Sequence, residues 1–258
     1  MLSKTKLKKI AALKNKKNRD HTNLFLVEGL RLCQEALASN FNVQTLLLDP
    51  AAISSAALNN ITSVAQRDNV EVLELDAIDV KQLAVTVNSQ SIFCVVEKPN
   101  YPAERLNKEN DSFIVIVDRG QDPGNIGTLI RSCDWFGVDA VVLSRGTVEL
   151  YNPKVIRSSM GSVFHLPIFE NIELQPFILT LKQQNFEISA ADAAGDKNFH
   201  QTTIQFPHAL IIGNENQGVA KNISNLIDYQ IKIPGFGKAE SLNMACAGAI
   251  LISHFKIH

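Results

Sequence analysis

The chain has 258 residues, of which 45% are hydrophobic, and this length allows one large domain or two ordinary ones with ample core. No apolar run approaches the ~20 residues of a membrane-spanning helix, and the N-terminus lacks the apolar segment of a secretory signal, so we expect a cytoplasmic protein without a membrane partner. The four cysteines and six histidines are scattered, which predicts reduced thiols and no metal site.

The net charge of −1 is unevenly distributed, because the first 19 residues carry eight basic side chains and no acidic one. These basic residues are Lys4, Lys6, Lys8, Lys9, Lys14, Lys16, Lys17 and Arg19. A basic arm on an acidic body is typical of proteins that bind a polyanion, and a solvated, frayed terminus is the alternative. Leu7, Ile10 and Leu13 recur at helical spacing between the lysines, which predicts a helix with one docking face and one cationic face.

Strand and helix patterns alternate through the first hundred residues. The predicted strands cover residues 24–27, 43–48, 70–75 and 92–96, and the predicted helices cover 30–38, 51–66 and 78–85. This alternation predicts a small α/β domain over residues 1–100. A charged segment with two prolines follows at residues 97–112, and we place the interdomain linker at 101–112.

The same alternation begins again after the linker and continues to the C-terminus. The predicted strands cover residues 113–117, 140–143, 163–168, 186–190, 209–212 and 231–233, and the predicted helices cover 126–136, 153–160, 174–184 and 242–255. Strands that alternate with crossover helices predict a parallel sheet, so residues 113–258 form a second α/β domain.

A first candidate site follows the predicted strand 113–117, with the sequence DRGQDPGNIGTLIR over residues 118–131. Asn125 is a competent N-cap for the next helix, and Arg131 lies in the second helical turn. A capped helix N-terminus with an arginine nearby favours an anion. The alternative is an ordinary strand-to-helix turn in which Arg131 pairs with a surface acid.

A second candidate site is the turn GNENQG at residues 213–218, which follows a strand that should be buried. Glu215 lies inside this turn, where a carboxylate is able to pair with an arginine or hold a substrate hydroxyl. The alternative is a plain Gly/Asn turn with a solvated glutamate. The turn lacks the glycine fingerprint of dinucleotide folds and the Walker lysine.

A third candidate site comprises IPGFG at residues 233–237 and SLN at residues 241–243. Gly235 and Gly237 permit a close approach of backbone to a ligand. Ser241 is a candidate cap for the last helix, and Asn243 would lie in its first turn. Small residues follow at 245–249, and tight helix packing in a core is the alternative explanation for them.

In this order, the three stretches resemble the SpoU (TrmH-like) branch of the SPOUT RNA methyltransferases. The family motif N-x-G-x-x-x-R is matched by Asn125, Gly127 and Arg131, and the motif G-x-E-x-x-G by Gly213, Glu215 and Gly218. The motif I-P-x-x-G-x-x-x-S-L-N is matched by Ile233, Pro234, Gly237, Ser241, Leu242 and Asn243. Gly235 replaces the usual methionine of this motif, and Met244-Ala245 replaces the common Val-Ser. The match runs from about residue 113 to the C-terminus, and the middle segment NPKVIRSSMG at residues 152–161 is similar to the family as well.

The first half of the chain resembles the L30e-like substrate-binding domain that some members of this family carry, through the sequence at residues 17–37. The resemblance implies a deep trefoil knot in the C-terminal parallel sheet and a homodimer with the C-terminal helix in its interface. It also implies transfer of a methyl group from S-adenosylmethionine to a ribose 2′-OH of RNA. We expect rRNA rather than tRNA, because the L30e-like domain resembles that of rRNA-modifying members. A non-catalytic RNA-binding or ribosome assembly protein on the same scaffold is the alternative.

The resemblance also implies residue roles. It predicts cofactor contacts, largely through main-chain groups, for Gly213, Asn214, Gly218, Ile233 and Leu242. It makes Arg131 the essential catalytic residue, held with the ribose by Asn125, Glu215, Ser241 and Asn243. A free guanidinium is a poor base, since its pKa lies above about 12, so whether Arg131 accepts the proton or only orients the ribose stays open. RNA contacts are predicted for Lys8, Lys9, Lys14, Lys16, Lys17 and, more weakly, Arg19, and a structural role is predicted for Glu28.

Overall fold

The structure is a computed structural model that describes residues 2–101, 106 and 112–257. The chain divides into two compact units, the first formed by Met1–Asn100 with Tyr151–Phe164, and the second by Tyr101–Leu150 with His165–His258. Residues 102–105 and 107–111, most of the predicted linker, lie outside the described residues. The segment Tyr151–Phe164 was predicted to lie in the methyltransferase domain at 113–258, and the structure groups it with the first unit instead.

Helices and strands alternate up to residue 97, as predicted. The elements are α1 (Lys4–Ala11), α2 (Lys16–Thr22), β1 (Leu24–Glu28), α3 (Leu30–Ala38), β2 (Val43–Leu48), α4 (Ser55–Arg67), β3 (Glu71–Glu74), α5 (Ala77–Leu83) and β4 (Ile92–Glu97). The sheet order is β1-β4-β2-β3, with β4 antiparallel to both neighbours and β3 parallel to β2.

The N-terminal arm is helical and docked, as its spacing predicted. Leu7, Ile10 and Leu13 are each at most 6% exposed and belong to the hydrophobic core of the first unit. The Ser3 and Asn15 side chains accept hydrogen bonds from the backbone N–H groups of the first turns of α1 and α2, which fixes where these helices begin. The apolar face is therefore held in the core, and the lysines of the opposite face remain in solvent.

A helix from the second half of the sequence also contributes to the first unit. It follows α6 (Pro123–Trp135) and β6 (Ala140–Ser144) along the chain and is α7 (Pro153–Ser159). Tyr151 and Phe164 flank it, and their rings lie 4.5 and 6.4 Å from the ring of Phe25 on β1. These aromatic contacts explain why residues 151–164 belong with the first unit, although the chain has already entered the second unit before them.

The second unit is built on a parallel sheet, which confirms the predicted fold class. Its remaining elements are β5 (Phe113–Val117), β7 (Ile168–Ile172), α8 (Leu174–Gln183), β8 (Glu187–Ala191), β9 (Lys197–Asn198), β10 (His208–Ile212), β11 (Tyr229–Lys232) and α9 (Met244–Ile257). The strand order is β7-β6-β5-β10-β8-β11-β9, with every described pair parallel. Both β5 and β10 are completely buried, as expected for central strands covered by helices on both faces.

Two elements of the second unit differ from the prediction. The apolar run at 163–168 was predicted to be a strand, but residues 162–164 form a 3-10 turn and β7 starts only at Ile168. The short strand β9 was not predicted, since two polar residues carry no alternating pattern. The strand order brings the carboxyl ends of β8, β10 and β11 side by side, and ligands bind at such an edge in open α/β sheets.

Candidate active site

A cavity of about 530 Å³ lies at the carboxyl ends of β8, β10 and β11. Its walls are residues at and after the ends of these strands, 191–193, 212–215, 218, 231, 233–237 and 239–242, together with residues 244, 247 and 251 of α9. All five residues predicted to bind the cofactor line it, namely Gly213, Asn214, Gly218, Ile233 and Leu242. Glu215 and Ser241 also line this cavity, which therefore joins the second and third sequence motifs in one site.

The turn after β10 forms one wall of the cavity and is closed by its own backbone. Asn214 and Gly218 exchange N–H···O=C hydrogen bonds of 3.0 and 2.9 Å, and the Asn214 side chain accepts hydrogen bonds from the N–H groups of Asn216 and Gln217. A Cβ on Gly213 would come within 2.5 Å of the Gly218 carbonyl carbon, so only glycine fits there. The turn thus needs its glycine for packing within the chain itself.

Three polar side chains from separate motifs form a hydrogen-bonded chain beside the cavity. The Asn243 amide donates to Asn125 Oδ1 at 2.8 Å, and the Asn125 amide donates to Glu215 Oε1 at 3.1 Å. These residues come from α6, from the turn after β10 and from the start of α9. The fold therefore brings together Asn125, Glu215 and Asn243, which are separated by 90 and 118 positions along these two bonds.

The caps of the two helices differ from the prediction. Asp122 rather than Asn125 caps α6, since its carboxylate accepts from the N–H of Asn125 at 2.8 Å and Pro123 opens the helix. Asn243 rather than Ser241 caps α9, because its Oδ1 accepts from the N–H groups of Ala245 and Cys246. Asn243 therefore has its side-chain nitrogen left for Asn125. Asn125 has its whole side-chain amide left, with the oxygen for Asn243 and the nitrogen for Glu215.

Arg131 lies outside this hydrogen-bonded chain. Its side chain is exposed on α6, and within the described part of the chain it forms no hydrogen bond or ion pair. The prediction that Asn125, Glu215, Ser241 and Asn243 hold Arg131 is therefore not met within one chain. Arg131 lies six positions after Asn125, so the two side chains point about 120° apart around the helix axis. The guanidinium is free to meet a substrate or a second copy of the chain.

The small residues of α9 are explained by its packing against α6. A Cβ on Gly248 would approach Leu129 Cδ1 to 2.4 Å, so a larger residue would force the buried Leu129 side chain to move. Met244 and Ala245 are buried at the start of α9, and Met244 lines the cavity. The packing of α9 therefore places one wall of the cavity, as the tight-packing alternative anticipated.

The basic residues of the N-terminal arm fall into two groups. Lys8, Lys9, Lys16 and Lys17 are exposed. Lys14 instead donates to the carbonyl oxygens of Gln82 and Ala84, and burial lowers the pKa of its ammonium.

Arg19 is buried and donates to the carbonyl oxygens of Leu13 and Lys14. These carbonyl groups lie at the end of a helical turn, where the backbone leaves acceptors without a partner of its own. The burial of Arg19 argues against its predicted RNA contact. The hydrogen bonds and partial burial of Lys14 likewise weaken the case for its predicted RNA contact. Glu28 has the predicted structural role, since its carboxylate accepts from the N–H of Val85 and the hydroxyl of Thr86.

The cavity includes residues that the motifs did not reveal. Asp192 and Glu240 bring two carboxylates beyond Glu215, and Phe236 lies on the loop after β11. Asp192 follows β8, whose run of small residues carries no recognisable motif, so only the strand order could have placed it at this edge. Among the described residues, no group of His, Cys, Asp and Glu side chains could hold a metal ion, and no helix is long and apolar enough to span a membrane.

Comparison with known proteins identifies the family. The model of the SpoU rRNA Methylase family matches residues 112–253, and the model of the MRM3-like substrate binding domain matches residues 4–94. The chain is 34% identical over 252 residues to the 23S rRNA (guanosine(2553)-2′-O)-methyltransferase RlmP of Bacillus subtilis, covering 97% of this chain and 96% of that relative. The chain belongs to the SpoU rRNA methylase family.

Solved structures agree with this assignment. The AdoMet-bound rRNA methyltransferase from Sinorhizobium meliloti is 28% identical to this SpoU methylase, with a TM-score of 0.87 over 98% of this chain and 95% of that one. The SpoU methyltransferase AviRb from Streptomyces viridochromogenes, in complex with the cofactor AdoMet, is 27% identical, with a TM-score of 0.85 over 98% and 97%. The predicted family, enzyme class and α/β fold class are therefore confirmed.

Proposed function

We propose that this SpoU methylase transfers a methyl group from S-adenosylmethionine, bound in the cavity at the carboxyl ends of β8, β10 and β11, to a ribose 2′-OH of rRNA. The observation that carries the proposal is the cavity itself. It is lined by every residue for which the family resemblance implies a cofactor contact, and the Asn243–Asn125–Glu215 chain lies beside it. The similarity to the 23S rRNA 2′-O-methyltransferase of Bacillus subtilis extends over both units of the chain.

The residues of the cavity suit S-adenosylmethionine. Its volume of about 530 Å³ lies within the range of about 300–1,000 Å³ for small-molecule sites. A Cβ on Gly235 or Gly237 would meet no atom within 4 Å, so these two glycines leave space that the chain itself does not fill. Asp192, Glu215 and Glu240 bring negative charge to a cofactor that carries a sulfonium and an ammonium group.

The protein contributes orientation more than covalent chemistry to this reaction. When bound, S-adenosylmethionine would supply an electrophilic methyl group to the ribose oxygen and leave as S-adenosylhomocysteine, with the 2′-OH proton passing to water. Gly213, Gly218 and Ile233 offer main-chain groups to hold the cofactor, and Leu242 offers an apolar contact. Glu215 has one oxygen bonded to Asn125, which orients the carboxylate toward a hydroxyl group.

Arg131 acts on the ribose in this proposal, although the single chain does not place it against Glu215 or Asn243. Its exposed guanidinium has no competing partner among the described residues, so a 2′-OH or a neighbouring phosphate is able to bind it. A guanidinium presents only hydrogen-bond donors, so we assign Arg131 the orienting role. Ser241 remains at the rim of the cavity as a further candidate for binding the ribose.

The RNA is bound by both units in this proposal. The exposed Lys8, Lys9, Lys16 and Lys17 neutralise phosphates, while the second unit presents the methyl group. We propose residues 1–100 as the substrate-binding domain, 101–112 as the linker and 113–258 as the methyltransferase domain, to which the helix α7 and its flanks are an exception in packing. A homodimer through the C-terminal helix, a trefoil knot and a cytoplasmic location complete the proposal as predictions that follow from the family.

The proposal is tested by mapping 2′-O-methyl groups in rRNA from cells with and without the gene. We expect one ribose to lose its methyl group in the deleted strain and to regain it on complementation. Calorimetric titration of the purified chain with S-adenosylmethionine separates this function from a non-catalytic RNA-binding role. No binding at millimolar cofactor, together with an unchanged methylation map, would leave only the assembly function.

A further inference from the structure

We propose that Arg119 is a positioning residue, which holds the turn Gly213–Gly218 in the conformation that binds the cofactor. This inference rests on the proposed function, because the turn is one wall of the S-adenosylmethionine site. Arg119 is the second residue after β5 and does not itself line the cavity. Its influence on the cofactor therefore passes through the turn that it contacts.

The backbone of Arg119 has an unusual conformation that serves three loops at once. Its φ of 55° lies in the left-handed region, which residues with a Cβ seldom adopt. In this conformation its N–H donates to Ser144 Oγ at 2.8 Å, and its carbonyl oxygen accepts from Asn214 Nδ2 at 2.7 Å and Gln121 Nε2 at 3.1 Å. Backbone strain that persists near a binding site usually serves its geometry, and here it aims the carbonyl oxygen at the turn.

The guanidinium of Arg119 reaches the far end of the same turn. Nη1 donates to Gln217 Oε1 at 3.1 Å, and Nη2 donates to the carbonyl oxygen of Gly218 at 3.3 Å. The carboxylate of Asp118, which is 2% exposed, accepts from Nε and Nη2 at 3.1 and 3.2 Å and from the N–H of Ala220 at 2.7 Å. The Arg119 backbone thus binds the first part of the turn and its side chain binds the last part.

The turn has few other means of holding its shape. Its residues from 215 to 218 are exposed, so no apolar side chain anchors them in the core. Within the turn, Asn214 bonds to Gly218 through the backbone and to the N–H groups of Asn216 and Gln217 through its side chain. Among the described residues, α6 adds one hydrogen bond to the turn, from Asn125 to Glu215. Loss of the guanidinium would remove the hydrogen bonds to the Gln217 side chain and the Gly218 carbonyl oxygen and widen the range of conformations at the cavity wall. Cofactor binding would then have to restore the order, which weakens the apparent affinity.

We call the contacts of Arg119 with the turn the clamp. Its expected effect differs from that of an ordinary surface ion pair. An exposed pair contributes little to stability and nothing to a distant ligand. Arg145 provides this comparison within the second unit, since its guanidinium is exposed and lies 3.8 Å from Glu173. Replacing Arg119 should change cofactor affinity, whereas replacing Arg145 should not.

Arg119→Asn tests the clamp, because asparagine tolerates the left-handed backbone and removes only the guanidinium. Arg119→Lys keeps the charge but not the fork of donors, and Arg145→Gln is the matched control. Each full-length variant is titrated calorimetrically with S-adenosylmethionine, its thermal midpoint is recorded, and methyl transfer to rRNA from cells that lack the gene is measured. We expect the Kd for S-adenosylmethionine to rise about tenfold in Arg119→Asn, the size of effect of one lost charge-assisted hydrogen bond.

The KM for S-adenosylmethionine should rise in parallel with this Kd, while kcat at saturating cofactor stays close to that of the unaltered chain. The thermal midpoint should fall, because the buried Asp118 carboxylate loses its ionic partner and keeps the N–H of Ala220. Arg119→Lys should recover part of the affinity. The inference is overturned if Arg119→Asn binds within twofold of the unaltered chain, or if kcat at saturating cofactor falls together with the affinity. Absence of binding in the unaltered chain would instead reject the proposed function and the clamp with it.

Discussion

Arg131 and Glu215 both belong to the family motifs, yet the fold treats them differently. Glu215 is held by Asn125 beside the cavity, whereas Arg131 extends into solvent from α6. A residue that forms no hydrogen bond or ion pair within the described part of the chain contributes little to its stability, so we propose that the role of Arg131 lies with the substrate.

Arg131→Ala should therefore abolish methyl transfer while the Kd for S-adenosylmethionine stays within a few-fold. The reason is that Arg131 does not line the cavity, whereas the reacting ribose needs its donors. Methylation of rRNA with labelled cofactor and calorimetry measure the two quantities, with Arg145→Ala as the control for loss of an exposed arginine. Turnover equal to that of the unaltered chain would remove Arg131 from the mechanism.

His208 is a buried titratable group with no part in the proposed reaction. It is fully buried on β10, its Nε2 lies 2.7 Å from Ser189 Oγ, and its Nδ1 lies 3.3 Å from Glu187 without a hydrogen bond. Burial lowers the pKa of His208 to about 4 and outweighs the opposing attraction of Glu187. The folded state therefore takes up this proton only at a lower pH than the unfolded state does.

Because the pKa is depressed on folding, the free energy of unfolding should be unaffected by His208 above pH 6.5 and should fall as the pH drops toward 4. The loss should be on the order of 3 kcal/mol, since each pH unit between the two pKa values contributes about 1.4 kcal/mol. Urea unfolding between pH 4 and 7 measures it. His208→Gln should flatten the curve in this interval, and the exposed His200→Gln should leave it unchanged. A parallel curve for His208→Gln would contradict the assignment.

The role of a residue was predictable from the sequence where it depends on the neighbouring residues in the chain. Gly213 follows a buried strand directly, and the sequence placed it at the ligand site. Asp122 and Asn243 were missed as caps because Asn125 and Ser241 have equally suitable side chains, and a displacement of two or three residues is hard to detect in a pattern. The role of Arg119 depends on a backbone angle and on contacts with residues 214–218, neither of which the sequence displays.

The N-terminal arm is a helical element with two faces of different character. Its apolar face belongs to the core of the first unit, so deletion of residues 1–19 would remove core packing as well as charge. Substitution of the exposed lysines isolates the charge. Lys8→Gln with Lys9→Gln and Lys16→Gln with Lys17→Gln are suitable pairs, and Lys81→Gln with Lys221→Gln is an exposed control pair.

Each arm pair should weaken RNA binding and lower the slope of log K against log salt by about 1.5, as expected for about two lost phosphate contacts. S-adenosylmethionine binding should be unaffected, because the arm belongs to the first unit and the cavity to the second. Filter binding to rRNA at several salt concentrations measures the slope. An equal change in the control pair would show a general charge effect rather than a binding face.

Most elements were predictable because their hydrophobic period is clear. The arm helix followed from Leu7, Ile10 and Leu13 alone. The strand predicted at 163–168 was wrong, because Val163 and Phe164 are buried in the first unit within a 3-10 turn and are not paired in a sheet. A short apolar run reports burial, and burial alone does not distinguish a strand from a compact turn.

At the scale of the whole molecule, the sequence specified an alternating α/β chain but not the order of its strands. The placement of β10 between β5 and β8 creates the edge at which residues 191, 213 and 233 meet. That order depends on long-range pairing, for which the local pattern has no signal. The trefoil knot lies beyond local pattern for the same reason and stays a prediction.

The predicted homodimer is testable through the outer face of α6 and α9. Trp135 is 83% exposed and Ile250 is 37% exposed, and a shallow apolar hollow lies beside Ile250 between Phe136, Phe199 and Ala249. Exposed apolar side chains of this size favour an interface. An acidic residue in such a contact would face its own symmetry-related copy, where desolvation and like charge oppose association.

Ile250→Glu should therefore convert the protein from a dimer to a monomer, halving the mass measured by sedimentation equilibrium. Leu179→Glu is the control, since Leu179 is 44% exposed on α8, away from the C-terminal helix in sequence. If Arg131 needs the second copy to reach a ribose, methyl transfer by Ile250→Glu should fall as steeply as in Arg131→Ala, while S-adenosylmethionine still binds in the cavity of each monomer. A dimeric Ile250→Glu would place the interface elsewhere, and a fully active monomer would show that Arg131 serves the cavity of its own chain.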